Sequence, residues 1–344
     1  MHSRHPTPYR VWAALLAVVA ISGCAPRCQV CAAGRSSDAR AQDGAVGWAV
    51  VTPNSLEGGS RGGALAALAT QGVDPSTEFE VAHPRVGAFV TGFKTRRHRW
   101  FQDALARSGR YRLRMVAILE REGLPTELAY LPLIESGYLP RAVSPAGAVG
   151  PWQFTRRTGR GYGLRIDEYV DERLDPIQST RAAARYLRDL HGVFDSWHLA
   201  LAAYNVGPGR IARALERCGT RIFWDMGSAL PPETRDYVPR FLAAVYIARA
   251  PAAHGFTEPD HTSSSYELVR VSGLVSLGTI ARIAGVSAAE LADLNPALIR
   301  NVTPPGRDGY RVRVPKGAKR RFIVAREARR RAAPHSAGGA PARL

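Results

Sequence analysis

Helix-forming segments separated by glycine and proline run from Arg97 to Arg249, and this pattern most constrains the fold of the chain. Apolar residues recur at helical spacing over residues 97–122, and Gly123 interrupts the pattern. No alternating strand or hairpin signal occurs in this region. We therefore predict a mainly α-helical domain over residues 81–255.

The helices predicted after Gly123 are short and bounded by proline or glycine. Pro125 suits the first turn of a helix over residues 126–135, and Gly137 and Pro140 end that helix. Residues 144–150 form a loop rich in glycine and alanine. Further helices are predicted over residues 180–194, 197–204, 208–218 and 232–249.

The pattern changes at Tyr266. The segment YELVRV alternates as a strand does, LGTIARIAG and SAAELADLN have helical character, and YRVRVP alternates again. These segments predict a β-α-α-β unit over residues 266–325, which is the size of a binding module rather than of an enzyme. Residues 326–344 are basic and are predicted to be a disordered tail.

The N-terminus has the features of an export signal. Arg4 and Arg10 precede an apolar run over residues 11–21, which is too short for a confident transmembrane helix. The run ends in Ile-Ser-Gly-Cys24, which resembles a bacterial lipobox and implies a signal peptide over residues 1–24 and lipidation of Cys24. The alternative is an ordinary signal peptide with an incidental cysteine. Residues 25–80, rich in small residues, are predicted to be a flexible tether.

The remaining cysteines and the net charge indicate neither a metal site nor a nucleic-acid partner. Cys28 and Cys31 have a CxxC spacing without a second ligand pair, so they predict no metal site, and Cys218 ends a predicted helix. The formal charge is +18, with arginine spread along the chain and lysine only at Lys94, Lys316 and Lys319. No aromatic-interleaved motif accompanies this charge, so no nucleic-acid partner is expected.

Glu135 is the strongest candidate for a catalytic group. It precedes a Ser-Gly break, and a small-residue loop with Trp152 and Gln153 follows. Its apolar neighbours can raise its pKa by desolvation, as a general acid near neutral pH requires. The next acidic residues lie in or just before the segment DERLDP, which has the character of a helix cap and salt bridge. The sequence therefore offers one acid and no evident catalytic partner.

The segments GLPTELAYLPLIESGY, AVSPAGAVGPWQF, DERLDP, LALAAYNVGPGRI and ETRDYVPRFLAA resemble, in this order, the lytic transglycosylases related to goose-type lysozyme. The resemblance implies a lysozyme-like helical domain that acts on peptidoglycan glycan strands without metal or cofactor. Glu135 is the implied catalyst. The implied substrate-binding residues are Ser144, Gln153, Tyr204, Asn205 and Tyr237. Pro151 departs from the family pattern and lacks a backbone N–H.

By the same resemblance, Glu135 protonates the leaving oxygen and then acts as a base, giving 1,6-anhydromuramic acid ends. Two alternatives stay open: a muramidase that hydrolyses the bond, and a wall-binding lipoprotein without activity. For the chain end, TIARIAGVSAAELADLNPAL resembles a LysM repeat that lacks the usual Gly-Asp-Thr. This degenerate module either binds glycan or only packs on the catalytic domain. The expected location is the periplasmic face of the outer membrane, through a lipid anchor.

Overall fold

The computed structural model describes residue 79 and residues 82–261 and 265–332. Cys24, the predicted signal peptide and nearly all of the predicted tether lie outside these residues. The described residues form twelve α-helices and one two-stranded sheet. A mainly α-helical region followed by a small β-α-α-β module is thus confirmed. Among the described helices, none is both long enough and apolar enough to cross a membrane.

Nine helices make up the region before residue 255 that the structure describes. Two of them end at glycines in the left-handed conformation, Gly137 and Gly219, and the sequence indicated the first of these ends. The bounds are α1 Pro84–Lys94, α2 His98–Ser108, α3 Arg112–Arg121, α4 Leu131–Ser136, α5 Arg156–Gly161, α6 Pro176–Phe194, α7 Trp197–Val206, α8 Pro208–Cys218 and α9 Pro232–Arg249.

The single helix predicted over residues 97–122 is wrong, because the chain turns between α2 and α3. Gly109 lies in this turn, and a Cβ there would be 2.1 Å from the carbonyl oxygen of Asp260. Only glycine allows the later segment to approach so closely. The break lets α2 contact α4 while α3 contacts α6.

The helix predicted over residues 126–135 begins as a 3₁₀ turn over Thr126–Tyr130 and becomes α-helical only at Leu131. Pro132 has no N–H to donate to the carbonyl of Leu128, so a continuous α-helix would lose that hydrogen bond. Gly137, with φ of 57°, then ends α4. The result is one short, mostly buried helix that carries Glu135.

The main hydrophobic core lies among these helices. Its largest fully buried side chains include Trp152, Tyr138, Tyr237, Phe101 and Phe241. Helix α9 crosses this core, with contacts to α1, α4 and α7, and contains Pro239 in its interior. Because α9 contacts α4, side chains from the two helices can meet at Glu135.

The C-terminal module pairs β1 (Tyr266–Val271) with β2 (Tyr310–Pro315) in an antiparallel sheet, in which Tyr266 faces Pro315. Helices α10 (Leu277–Ala284) and α11 (Ala288–Leu294) connect the strands. Helix α12 (Ala318–Ala332) follows and was not predicted. The structure therefore differs from the predicted disordered tail over residues 326–332, which are helical.

Candidate active site

Glu135 lies near the end of α4 and is partly buried. The next residue, Ser136, is buried, and its hydroxyl donates to the carbonyl oxygen of Pro151 at 2.9 Å. This bond joins the helix that carries Glu135 to the small-residue loop over residues 141–154, which we call the site loop. The residue that follows Glu135 therefore holds α4 against the site loop.

Tyr237 of α9 donates a short hydrogen bond to Oε1 of Glu135. The tyrosine side chain is only 1% exposed, so the pair is formed inside the core. Sequence reasoning placed Tyr237 among the substrate-binding residues. In the structure its hydroxyl bonds to the carboxyl group of Glu135, and this bond orients that group.

Burial raises the pKa of Glu135 from 4.5 to about 7, while the Tyr237 hydrogen bond and the positive charge of Arg240 act in the opposite direction. The negative charge of Glu233 raises the pKa further. A carboxyl group with this pKa is present in both protonation states near neutral pH. It can therefore give a proton and take one back at the same pH.

Glu233, Tyr237 and Arg240 follow one another along α9 at helical spacing. The guanidinium group of Arg240 lies 5.6 Å from the centre of the Tyr237 ring. Sequence reasoning missed Glu233 and Arg240. Their spacing of four and three residues around Tyr237 was the available signal, although it could not show that this face of α9 meets Glu135.

The site loop folds back on itself through two isolated bridges, Val143 with Val149 and Val149 with Phe154. The Ser144 hydroxyl accepts a hydrogen bond from the Ala148 N–H at 3.0 Å, so it fixes the turn of this loop. Ser144 remains half-buried.

Trp152 and Gln153 lie at the C-terminal end of the site loop. Trp152 is fully buried, and its Nε1 donates to the Thr180 hydroxyl at 2.9 Å, so this residue packs in the core. Gln153 has φ of 48°, and its Nε2 donates to the carbonyl oxygen of Gly150 at 2.7 Å. The side-chain amide of Gln153 thus bonds to its own loop.

Tyr204 and Asn205 end α7 beside the same loop. The Tyr204 hydroxyl donates to the Trp152 carbonyl oxygen at 2.6 Å. Burial raises the pKa of Tyr204 well above its usual value, and the negative charge of Glu135 adds to this effect. Oδ1 of Asn205 accepts from the Thr234 hydroxyl at 2.9 Å, which leaves the amide hydrogens as donors.

The acidic segment after residue 170 forms caps and ion pairs, as its sequence indicated. Asp171 pairs with Arg173 at 2.7 Å, and Asp175 caps α6 by accepting from two backbone N–H groups. Asp175 also pairs with Arg313 at 2.6 Å. In the part of the chain that the structure describes, no three His, Cys, Asp or Glu side chains are grouped as a metal site.

Two family models match the chain. Residues 115–226 match "Transglycosylase SLT domain", and residues 265–330 match "Lytic transglycosylase MltD, LysM-like domain". The chain therefore contains a transglycosylase SLT domain followed by a LysM-like domain of the MltD type.

The chain is similar to membrane-bound lytic murein transglycosylase D of Escherichia coli K12, with 36% identity over 203 residues. That alignment covers 57% of this chain and 44% of the relative, so the chain spans less than half of the relative's length. Peptidoglycan transglycosylase gp16 of Escherichia phage T7 is 37% identical over 122 residues, which are 35% of this chain and 9% of that protein. The structure of an inactive mutant of lytic transglycosylase Slt from Pseudomonas aeruginosa aligns with a TM-score of 0.36 and 28% identity. The alignment covers 41% of this chain and 24% of that one.

Proposed function

We propose that this protein is a lytic transglycosylase that cleaves the β-1,4 bond between N-acetylmuramic acid and N-acetylglucosamine in peptidoglycan. The observation that carries the proposal is Glu135, which is partly buried, accepts a hydrogen bond from Tyr237 and has a pKa of about 7. It lies within the residues that match a transglycosylase SLT domain. The names of the similar proteins support the choice of peptidoglycan as substrate.

Protonated Glu135 gives its proton to the leaving glycosidic oxygen while the bond to the anomeric carbon breaks. The acetamido oxygen of the N-acetylmuramic acid stabilises that carbon. The Glu135 carboxylate then removes the proton of the C6 hydroxyl, and the C6 oxygen bonds to the anomeric carbon to close a 1,6-anhydro ring. No water is consumed, and Glu135 ends protonated as it began.

Tyr237 is a positioning residue in this mechanism. Its hydroxyl donates to Glu135 from a fully packed site, so it fixes the rotamer of the carboxyl group and stabilises the anion between the two steps. Arg240 adds a positive charge that favours the same anion.

The sugar-binding roles predicted for Ser144, Gln153, Tyr204 and Asn205 remain part of the proposal. All four are half-buried. Asn205 is the most specific of them, because its free amide hydrogens can donate to an acetamido carbonyl. We further propose that Cys24 is lipidated and that the protein acts in the cell envelope, tethered to the outer membrane.

Digestion of isolated sacculi followed by mass spectrometry tests the reaction. The wild-type protein should release muropeptides with anhydro ends, which are lighter by one water than reducing ends. Reducing ends would show a muramidase instead. Glu135→Gln should reduce release by about 10²- to 10⁴-fold, because the variant has no proton to give, while binding to sacculi is retained.

Two matched variants separate the single-acid mechanism from one with two carboxylates. Glu233→Gln removes the exposed carboxylate whose charge acts on Glu135, and Glu120→Gln removes an exposed carboxylate on α3. Both variants should keep anhydro-muropeptide release within about threefold of wild type. A loss in Glu233→Gln as large as in Glu135→Gln would reject the single-acid mechanism.

A further inference from the structure

The C-terminal module is joined to the catalytic domain by backbone hydrogen bonds. The N–H of Asp171 donates to the carbonyl oxygen of Ala297 at 2.9 Å, and the N–H of Ile299 donates to the carbonyl oxygen of Tyr169 at 3.1 Å. Residues 169–171, from the catalytic domain, thus pair with a loop of the module. We call residues 169–175 the docking segment.

Side chains reinforce this junction. Val170 of the docking segment is fully buried in the hydrophobic core of the module, against Leu298 and its neighbours. Asp175 pairs with Arg313 of β2 at 2.6 Å, with the two side chains only 7% and 13% exposed. A buried ion pair is costly to break from one side, because the remaining charge is left without its partner. The module is therefore fixed to the docking segment.

The same segment contacts the site loop through Arg173, which is only 5% exposed. The guanidinium group pairs with Asp171 and donates to the carbonyl oxygens of Phe154 at 3.1 Å and Gly147 at 3.4 Å. The site loop also lies against the backbone here, because a Cβ on Gly150 would be 1.9 Å from the Arg173 carbonyl oxygen. Arg173 thus bonds to the site loop on both sides of Trp152.

The site loop, in turn, contacts the residues around Glu135. Ser136 donates to the Pro151 carbonyl oxygen, and Tyr204 donates to the Trp152 carbonyl oxygen. A continuous series of buried contacts therefore runs from the module, through Asp171 and Arg173, to the residues next to the catalytic acid.

We propose that Arg173 is a positioning residue, and that the docked C-terminal module holds the site loop in place beside Glu135 through the docking segment. The module is then a part of the catalytic unit rather than an independently moving glycan-binding domain. Its effect on turnover rests on the proposed function, whereas its effect on the site loop does not.

Amide hydrogen exchange on the full chain tests directly whether the docked module holds the site loop in place. The amides of Asp171 and Ile299 report on docking, and those of Gly150 and Phe154, which bond within the site loop, report on the loop. In Arg313→Met, all four amides should exchange faster, by about tenfold or more, because Asp175 loses its buried partner. Arg311→Met is the control, because Arg311 lies on the same strand as Arg313 but is exposed.

A second variant tests the contact between Arg173 and the site loop. Arg173→Met keeps much of the aliphatic stem but removes the bonds to Phe154 and Gly147, so the Gly150 and Phe154 amides should exchange about tenfold faster or more. The proposal is overturned if the loop amides keep wild-type rates in Arg313→Met while the docking amides exchange faster. It is equally overturned if all four amides are unchanged, since the ion pair would then not hold the module.

Activity on a short soluble glycan, too short to reach the module from the site, gives an independent readout. Both variants should lower kcat several-fold and raise KM, because they displace the site loop, which carries Ser144 and Gln153. Unchanged kcat in both variants would contradict the positioning role. If wild type cleaves no glycan, the proposed function fails, and the exchange rates still decide whether the module holds the loop.

Discussion

Glu135 and Tyr237 form a hydrogen-bonded pair, and the hydroxyl donor lowers the pKa of a carboxyl group that burial has raised to about 7. Tyr237→Phe removes this donor without leaving a cavity. The pKa of Glu135 should therefore rise further, so the protonated form persists to higher pH. The descending limb of the kcat/KM profile against pH should move to higher pH, while kcat near neutral pH falls about tenfold or more.

Tyr246→Phe is the matched control for this measurement. Tyr246 lies on the same helix but is 56% exposed. Its variant should reproduce the wild-type pH profile. A Tyr237→Phe profile that superimposes on that of wild type would show that the hydrogen bond does not set the pKa of Glu135.

The raised pKa of Glu135 also has a consequence for stability. Between pH 4.5 and about 7 the folded protein holds a proton on Glu135 that the unfolded chain has lost. The contribution of Glu135 to the free energy of unfolding therefore falls as pH rises through this window, by at most about 3 kcal/mol. Glutamine at position 135 does not titrate, so the free energy of unfolding of Glu135→Gln does not fall in this way. The variant should therefore become more stable than wild type as pH rises towards 8.

Thermal or urea unfolding at several pH values measures this difference between Glu135→Gln and wild type. Glu120→Gln, which replaces an exposed glutamate on α3, is the control for the loss of a surface carboxylate. A stability difference for Glu135→Gln that stays constant from pH 4 to pH 8 would mean that Glu135 is not desolvated in the folded protein.

At the residue scale, the sequence identified Glu135 because a whole series of motifs surrounds it. It could not identify Glu233 or Arg240, since their effect depends on which face of α9 crosses α4. For Tyr237 the sequence supplied the residue as a substrate-binding candidate, but it could not show the hydrogen bond to the carboxyl group of Glu135. A motif fixes the order of residues along the chain, whereas a hydrogen bond across 102 positions depends on how two helices pack.

At the element scale, Gly150 and Gly147 provide a matched pair within the site loop. Both have positive φ, 84° and 75°, but a Cβ on Gly150 would meet the Arg173 carbonyl oxygen whereas a Cβ on Gly147 would meet nothing within 4 Å. Gly147→Ala should cost about 1 kcal/mol of stability, from the backbone conformation alone. Gly150→Ala should cost about 3 kcal/mol or more and remove most activity, because the loop must move away from the docking segment.

Chemical denaturation and sacculus digestion of the two alanine variants measure these effects. Equal losses of stability in both would show that backbone conformation, rather than the contact with Arg173, determines the need for glycine at position 150.

The element predictions succeeded where local signals decide and failed where distant contacts do. Helices α8 and α9 have the predicted bounds because proline begins each of them. The break between α2 and α3 depends on the approach of Asp260 to Gly109, and periodicity carries no information about a contact 151 positions away. Helix α12 was missed because its arginine-rich composition is also typical of a disordered tail.

At the scale of the whole molecule, the described chain has two hydrophobic cores, and a residue of the catalytic domain belongs to the second. The first lies among the helices before residue 255, and the second lies in the C-terminal module but includes Val170 from the catalytic domain. From the sequence, the LysM-like module could be an independent glycan-binding domain or one that only packs on the catalytic domain. The sequence left this choice open because Asp175 and Arg313, which join the bodies, are 138 positions apart.

Because the ion pair of Asp175 with Arg313 is buried, and because Val170 completes the second core, neither body can unfold without removing contacts from the other. Differential scanning calorimetry of the full chain should therefore show one transition, with equal calorimetric and van't Hoff enthalpies. Arg313→Met weakens the junction by about 3 to 5 kcal/mol and should split this transition, with the module unfolding first. Arg311→Met changes only an exposed arginine on the same strand and should leave one peak. Two separate transitions in the wild-type protein would show that the bodies unfold independently, and the junction could then not transmit stability from the module to the site loop.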